Sequence, residues 1–212
     1  MENIKLVIFD LDGTLVDAYA AISKSFNFTM RQLGEPVKRA LVIRRAVGWG
    51  DKNLLKGFVK PSDLNRALAI YRRHHKSALL KGSRLLPVVR RTLNYLRKKG
   101  YKLAIASNRP TYFSQLIIRS LRIKEDFDYV LCADKLRQGK PNPQILKRIM
   151  KKLRVSAEET VYVGDMGLDA ATAKAAKMKS IIVATGSSSI SDIKIERPFL
   201  IIKNISKLEK VL

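Results

Sequence analysis

Four consecutive apolar residues, Leu6-Val7-Ile8-Phe9, lead directly into Asp10-Leu11-Asp12-Gly13-Thr14. A short apolar run rich in β-branched residues reads as a buried strand whose carboxyl end opens into a polar loop. Similar runs recur at 103–106, 129–131, 160–163 and 180–183, and a last one at 199–202 adds a candidate edge strand. Between them lie segments with helical spacing at 88–99, 111–121, 143–153 and 168–176, with Pro143 suited to a first helical turn. This alternation predicts an α/β, Rossmann-like parallel sheet covered by helices on both faces, with active groups at the carboxyl ends of the strands near a switch point.

The interval 18–82 breaks the alternation. It reads as helices at 19–33, 37–47 and 64–80 without a strand, interrupted by Gly48-Trp49-Gly50 and by Lys60-Pro61-Ser62-Asp63. The expected organisation is a core of 1–17 and 83–212 with a small helical unit, 18–82, inserted after the first strand. A length of 212 residues fits one domain plus a modest insertion, and 46% hydrophobic residues fit a globular chain.

Charge is the outlying property, with 42 Lys and Arg against 18 Asp and Glu for a net +24. Such a surface attracts anions: nucleic acid, an anionic membrane face or phosphorylated substrates. The basic residues are spread along helical segments, as at Arg90-Arg91, Arg97-Lys98-Lys99, Lys147-Arg148 and Lys151-Lys152, and no nucleic-acid reader motif accompanies them. Solvated helix faces are the favoured reading, and nucleic-acid binding is the alternative. No stretch approaches the ~18 apolar residues of a membrane span and no leader pattern opens the chain, so a cytoplasmic protein without membrane partners is expected. The single cysteine, Cys132, sits in an apolar run and reads as a buried core thiol. His74-His75 reads as exposed helix, and the sole tryptophan, Trp49, as packed.

Four constellations carry chemistry. Asp10 and Asp12 flank one residue at a strand tip, followed by Gly13, which lets backbone amides approach an anion, and by the loop-anchoring hydroxyl of Thr14. Asp165 and Asp169, in Gly164-Asp165-Met166-Gly167-Leu168-Asp169, follow another hydrophobic strand. Helix caps are the bland reading of each carboxylate. Two acidic strand tips together crowd negative charge, which a hard, oxygen-preferring ion such as Mg2+ offsets. Ser107-Asn108 supplies hydrogen-bond donors after the 103–106 run, and Lys140 supplies a positive charge ahead of a helix.

Together and in this order, these pieces resemble the signature of the haloacid dehalogenase superfamily of hydrolases. The helical insertion is similar to the cap of its phosphoglycolate phosphatase-like and β-phosphoglucomutase-like branch. The resemblance implies a Mg2+-dependent phosphatase acting on a small phosphorylated substrate, with phosphoglycolate foremost. It implies Asp10 as the nucleophile that becomes an aspartyl-phosphate, and Asp12 as general acid and base. The Asp10 carboxylate, the Asp12 carbonyl and Asp165 would hold Mg2+, with Asp169 orienting or ligating. Ser107, Asn108, Lys140 and the Gly13-Thr14 turn would bind phosphoryl oxygens.

Asp12 argues against a dehalogenase, because dehalogenases of the superfamily lack that second acid. A phosphomutase is the enzymatic alternative, and an anion- or nucleic-acid-binding protein on the same fold is the non-catalytic one. In the inserted unit, residues 44–52 look similar to a substrate loop, with Arg45, Gly48 and Lys52 as candidate contacts to an anionic leaving group. Arg109 either reaches substrate or simply starts a helix. A monomer is expected, for want of any oligomerisation element.

Overall fold

The computed structural model describes residues 1 and 3–212. Strand β1 (Leu6–Phe9) is followed by the short β2 (Val16–Asp17), by helices α1 (Tyr19–Leu33), α2 (Ala40–Ala46), α3 (Asp51–Lys56) and α4 (Leu64–Gly82), and by β3 (Arg84–Leu85). Strand and helix then alternate: α5 (Val89–Lys98), β4 (Lys102–Ser107), α6 (Thr111–Ser120), β5 (Tyr129–Cys132), α7 (Gln144–Leu153), β6 (Thr160–Gly164), α8 (Gly167–Ala175), β7 (Lys179–Val183), α9 (Ile190–Ile195) and β8 (Leu200–Ile202). No helix is long and apolar enough to cross a membrane among the described residues.

Six strands form one parallel sheet in the order β5-β4-β1-β6-β7-β8. The chain builds outward from β1 on one side, then crosses over and builds outward on the other. The strand order therefore reverses at β1, and the loops leaving β1, β4 and β6 diverge around a common crevice. The 199–202 run ends as the edge strand β8.

Period-two alternation explains why strands that look uniformly apolar are needed here. Val7 and Phe9 face one core with Leu103 and Ile105, under Leu93 of α5 and Ile117 of α6. Leu6 and Ile8 face the other with Ala104 and Tyr162, under Ile145 and Ile149 of α7 and Ala173 of α8. Each such fully buried aliphatic side chain contributes about 1.5–3 kcal/mol.

Helices α1 to α4 lie between β2 and β3, which pair antiparallel and bring the two chain crossings side by side. Arg84 donates across this ribbon to Asp17 at 2.8 Å. On α1, Ile22, Phe26 and Met30 recur every four residues and face the apolar stripe of α4 that contains Ala67, Tyr71 and Leu79. The helix expected over 37–47 begins only at Ala40. The Asn27 side chain accepts from the Lys38 N–H and donates to the Lys38 carbonyl, both at 2.9 Å, holding that residue outside helical pairing.

Two sequence expectations need correction. Trp49 is 47% exposed at the turn between α2 and α3, where no apolar layer covers it. His75 is buried at 1% exposure because it continues the inward stripe of α4, four residues after Tyr71. Cys132 is buried, and the basic residues of α5 and α7 named above stand exposed. Truncating Ile149→Ala should lower unfolding stability by about 2–5 kcal/mol. The same truncation at half-exposed Leu80 should change it by no more than about 0.5 kcal/mol. Urea titration of both variants provides the comparison.

Candidate active site

The crevice at the reversal of the sheet receives Asp10 from the tip of β1, where its N–H donates to the Val163 carbonyl at 2.8 Å. The chain then turns sharply through Gly13 at φ 82°. A Cβ there would collide with both the Asp165 carboxylate and the Tyr19 hydroxyl, so only glycine fits the turn. Gly186 is packed equally tightly against Asp165. The Thr14 hydroxyl donates to Asp165 Oδ1 at 3.2 Å, anchoring the first loop to the carboxylate that leaves β6.

Asp169 sits in the first turn of α8, and its Oδ2 accepts from the Asp165 and Met166 N–H groups at 3.2 and 3.1 Å. Those N–H groups belong to the turn that opens the helix, so Asp169 fixes the Asp165 loop while aiming its other oxygen inward. Lys140 Nζ lies 2.7 Å from Asp169 Oδ1, 2.9 Å from Asp10 Oδ1 and 3.0 Å from the Tyr162 hydroxyl. The tyrosine, from the middle of β6, is a member of this cluster that sequence reading missed because its strand position reads as apolar core.

Carboxylate oxygens of Asp10, Asp165 and Asp169 all lie within 4.8 Å of one another, and all three residues are buried. Burial, reinforced by Asp169 and Asp12 and opposed by Lys140, pushes the Asp10 carboxyl up to about 7. Asp165 is driven well above the usual carboxylate range, chiefly by burial and then by the charges of Asp169 and Asp10. Three carboxylates around one ammonium leave two negative charges in excess when all are ionised. The donor set is all oxygen and hard, and could hold a divalent cation, which would balance that excess.

A second buried network starts at Asp12. Arg109, from the loop after β4, grips its carboxylate with two parallel bonds, Nε to Oδ2 at 2.8 Å and Nη2 to Oδ1 at 2.7 Å. The remaining Nη1 lies 3.0 Å from His75 Nε2 of α4. An arginine only donates, so His75 Nε2 is the acceptor and the proton of the neutral ring is on Nδ1. That nitrogen donates to Ser25 Oγ at 3.0 Å, and the Ser25 hydroxyl is left to donate to His74 Nδ1, also at 3.0 Å. Core acid and helical unit are thus joined through one guanidinium. The sequence held a signal for this: Ala67, Tyr71, His75 and Leu79 follow one helical stripe, so an inward histidine is what the spacing implies.

Asp10, Asp12, Ser107 and Asn108 line a cavity of about 50 Å3, partly open to solvent, roofed by α1, the 47–51 turn and α4. Gly13, Thr14, Lys140, Asp165 and Asp169 are buried beside them. The Asn108 side chain donates to the Gly48 carbonyl at 2.9 Å and accepts the Lys140 N–H at 2.8 Å, tying the roof to the Lys140 loop. Of the candidate loop residues, Gly48 lines the cavity, whereas Arg45 and Lys52 stand exposed and do not. The inward cation of that run is Arg44, which lies over the Tyr19 ring and donates to the Gly186 carbonyl at 2.8 Å.

Comparison with known proteins agrees with this architecture. The family described as haloacid dehalogenase-like hydrolase matches residues 7–183, and the chain belongs to it. More particularly, it is 30% identical to a phosphoglycolate phosphatase of Pseudomonas putida, over 96% of this chain and 78% of that one. It is 32% identical to a phosphoglycolate phosphatase of Colwellia psychrerythraea, over 91% and 90%. A crystal structure described as a predicted phosphoglycolate phosphatase, from Haemophilus somnus, superposes with a TM-score of 0.93 at 25% identity, over 100% and 99% of the two chains.

Burial, then the Arg109 and His74 charges, lower His75 to about 2. The groups facing it are Ser25 of α1, Tyr71 and His74 of α4, Arg109, and Phe113 of α6. Folded His75 stays neutral while the unfolded chain takes up a proton below its ordinary value of 6.5. Its contribution to stability is therefore complete above that value and is lost as pH falls below it. Between pH 7.5 and 5 the wild type should lose about 2 kcal/mol more than His75→Gln. Denaturant melts of both proteins at the two pH values measure this difference.

Proposed function

We propose that this chain is a Mg2+-dependent phosphatase that hydrolyses a small phosphomonoester, phosphoglycolate foremost, through an aspartyl-phosphate on Asp10. The observation that carries the reading is Asp10 itself. It sits at a strand tip facing the cavity, in bonding distance of Lys140 and beside two further buried carboxylates. The names of the relatives support the substrate class.

In this reading residues 1–17 and 83–212 form the catalytic core and 18–82 the cap. The free Asp10 oxygen attacks phosphorus, the phosphorus bond to the leaving oxygen breaks, and Asp12 delivers a proton to that oxygen. Water then attacks the phosphorus of the aspartyl-phosphate and gives a proton to Asp12 while the bond between phosphorus and the Asp10 oxygen breaks, which releases phosphate and restores the Asp10 carboxylate. Ser107, the Asn108 backbone N–H and Lys140 bind the phosphoryl oxygens, with the Gly13-Thr14 turn shaping the loop around them. The Asn108 and Thr14 side chains act by position, since both are committed to neighbouring groups. The Asp10 carboxylate, the Asp12 carbonyl and Asp165 would hold Mg2+, which supplies charge neutralisation for the transferred phosphoryl group. Asp169 orients Asp165 and Lys140.

Two outcomes are expected. Phosphate release from a panel of phosphoglycolate, sugar phosphates and nucleotides should require Mg2+ and fall roughly 10³-fold or more in Asp10→Asn. Retention of activity by that variant would remove the covalent route. Separately, Mg2+ at about 100-fold its Kd should stabilise the folded chain by about 2.7 kcal/mol. This corresponds to a Tm rise of roughly 5–10 °C at this length. In Asp165→Asn the metal-dependent rise should vanish while the metal-free Tm is no lower, because one excess buried charge has been removed; scanning calorimetry with and without Mg2+ tests both points.

A further inference from the structure

For all its positive charge, the chain brings to the cavity wall a single lysine or arginine among the described residues, Arg109, while Lys140 stands behind Asp10 on the phosphoryl side. Arg109 is 8% exposed. Three of its five donors are engaged, two on Asp12 and one on His75. Both carboxylate oxygens of Asp12 are likewise occupied by that fork. In this arrangement both oxygens of the acid assigned to the leaving oxygen are held by Arg109 and turned toward it. Of the other charged residues on the wall, Asp10 is paired with Lys140 at 2.9 Å, and Asp51 is compensated by Arg72, which donates to it from Nε at 2.7 Å and from Nη2 at 3.2 Å.

We propose that Arg109 is the specificity-determining residue for the leaving group. A substrate carboxylate takes the guanidinium fork from Asp12, and this exchange frees Asp12 to face the leaving oxygen. The inference rests on the phosphatase reading above and adds to it the residue that reads the leaving group's carboxylate and the exchange by which it does so. The exchange replaces one bidentate arginine–carboxylate pair with another, so the buried guanidinium never loses its anion. His75 Nε2 accepts Arg109 Nη1 on the side away from Asp12 and keeps the guanidinium plane fixed while its partner changes. Apolar neighbours on the wall, Ile22, Leu54 and Phe113, exclude competing water and sharpen the choice. A phosphoester whose leaving group lacks an anion leaves Asp12 clamped and turns over slowly.

The test compares phosphoglycolate with ethyl phosphate, which replaces the carboxylate by a methyl group. Wild-type kcat/KM should favour phosphoglycolate at least tenfold. In Arg109→Gln that ratio should fall to within about threefold of unity, whereas Arg109→Lys, a charge without the fork, should retain an intermediate preference. Arg44→Gln, which removes the cation of the neighbouring loop, should keep the wild-type ratio. A wild-type ratio below threefold overturns the proposal without recourse to any variant. So does an Arg109→Gln enzyme that keeps the full ratio. Phosphate release from both esters at equal efficiency leaves the phosphatase reading standing and removes the role of Arg109. Absence of release from both esters and from every member of the wider panel removes the phosphatase reading and this inference with it.

Discussion

The Lys140 ammonium lies between Asp10 and Asp169 and is itself buried, and the geometry of the centre depends on it. Without that charge, three carboxylates from two strand tips would share a nearly dry space with nothing to offset them, and burial alone already drives two of them upward. The sheet makes the crowding unavoidable. Neighbouring parallel strands β1 and β6 keep Phe9 opposite Val163, so the residues that follow each must emerge side by side. Lys140 enters from the loop before α7, on the face occupied by Leu6 and Ile8, while the Asp12 network opens toward the helical unit. Fold stability and chemistry are therefore coupled at one point: the strand pairing that buries the core also concentrates the negative charge that the site uses.

Much of this was legible in the sequence, for reasons that can be traced. Residues 6–9 are covered on both faces, so the strand appears as an uninterrupted apolar run rather than an alternating one, and β4, β6 and β7 share that property. The acidic loops were visible because a polar residue directly after such a run has to stand at the sheet's edge. Elements α3 and α9, of six residues each, and the two-residue β2 and β3 are too short for any period to register. The late start of α2 depends on Asn27, eleven residues upstream of Lys38, and no local propensity encodes that contact.

The site shows the same division. Side chains that act from strand tips were readable by position, whereas those that act across the gap between the helical unit and the core were not. Residues 44–52 read as a substrate loop and in the structure border the cavity through Val47, Gly48, Gly50 and Asp51, yet their adjacent cations diverge: Arg44 turns toward Thr185 and Gly186, and Arg45 toward solvent. Adjacent residues on a helix point about 100° apart, so charge clustering in sequence does not translate into clustering at a site. Arg109 left two readings open because a loop residue carries no periodicity. Its burial follows from Asp12 on one side and His75 on the other, partners 97 and 34 residues away.

The large positive charge and the near absence of cations on the cavity wall then have separate physical roles. Exposed Lys and Arg on α5 and α7 act through water, where interactions are screened within about 8 Å at physiological ionic strength, so they raise the local concentration of anions without distinguishing one from another. Discrimination requires a charge in a place water does not fill, with fixed donors and a competing partner that makes a poor ligand costly. Arg109 meets each condition: it is buried, its fork is held by Asp12, and His75, neutral because its own burial and the adjacent guanidinium disfavour protonation, fixes its orientation from the side of the helical unit. A second cation on the wall would weaken the device, because an incoming anion could then settle without displacing Arg109 from Asp12. Of 42 basic residues, one stands on the cavity wall and Lys140 stands behind Asp10, so a highly basic surface is compatible with a site that chooses its leaving group through Arg109.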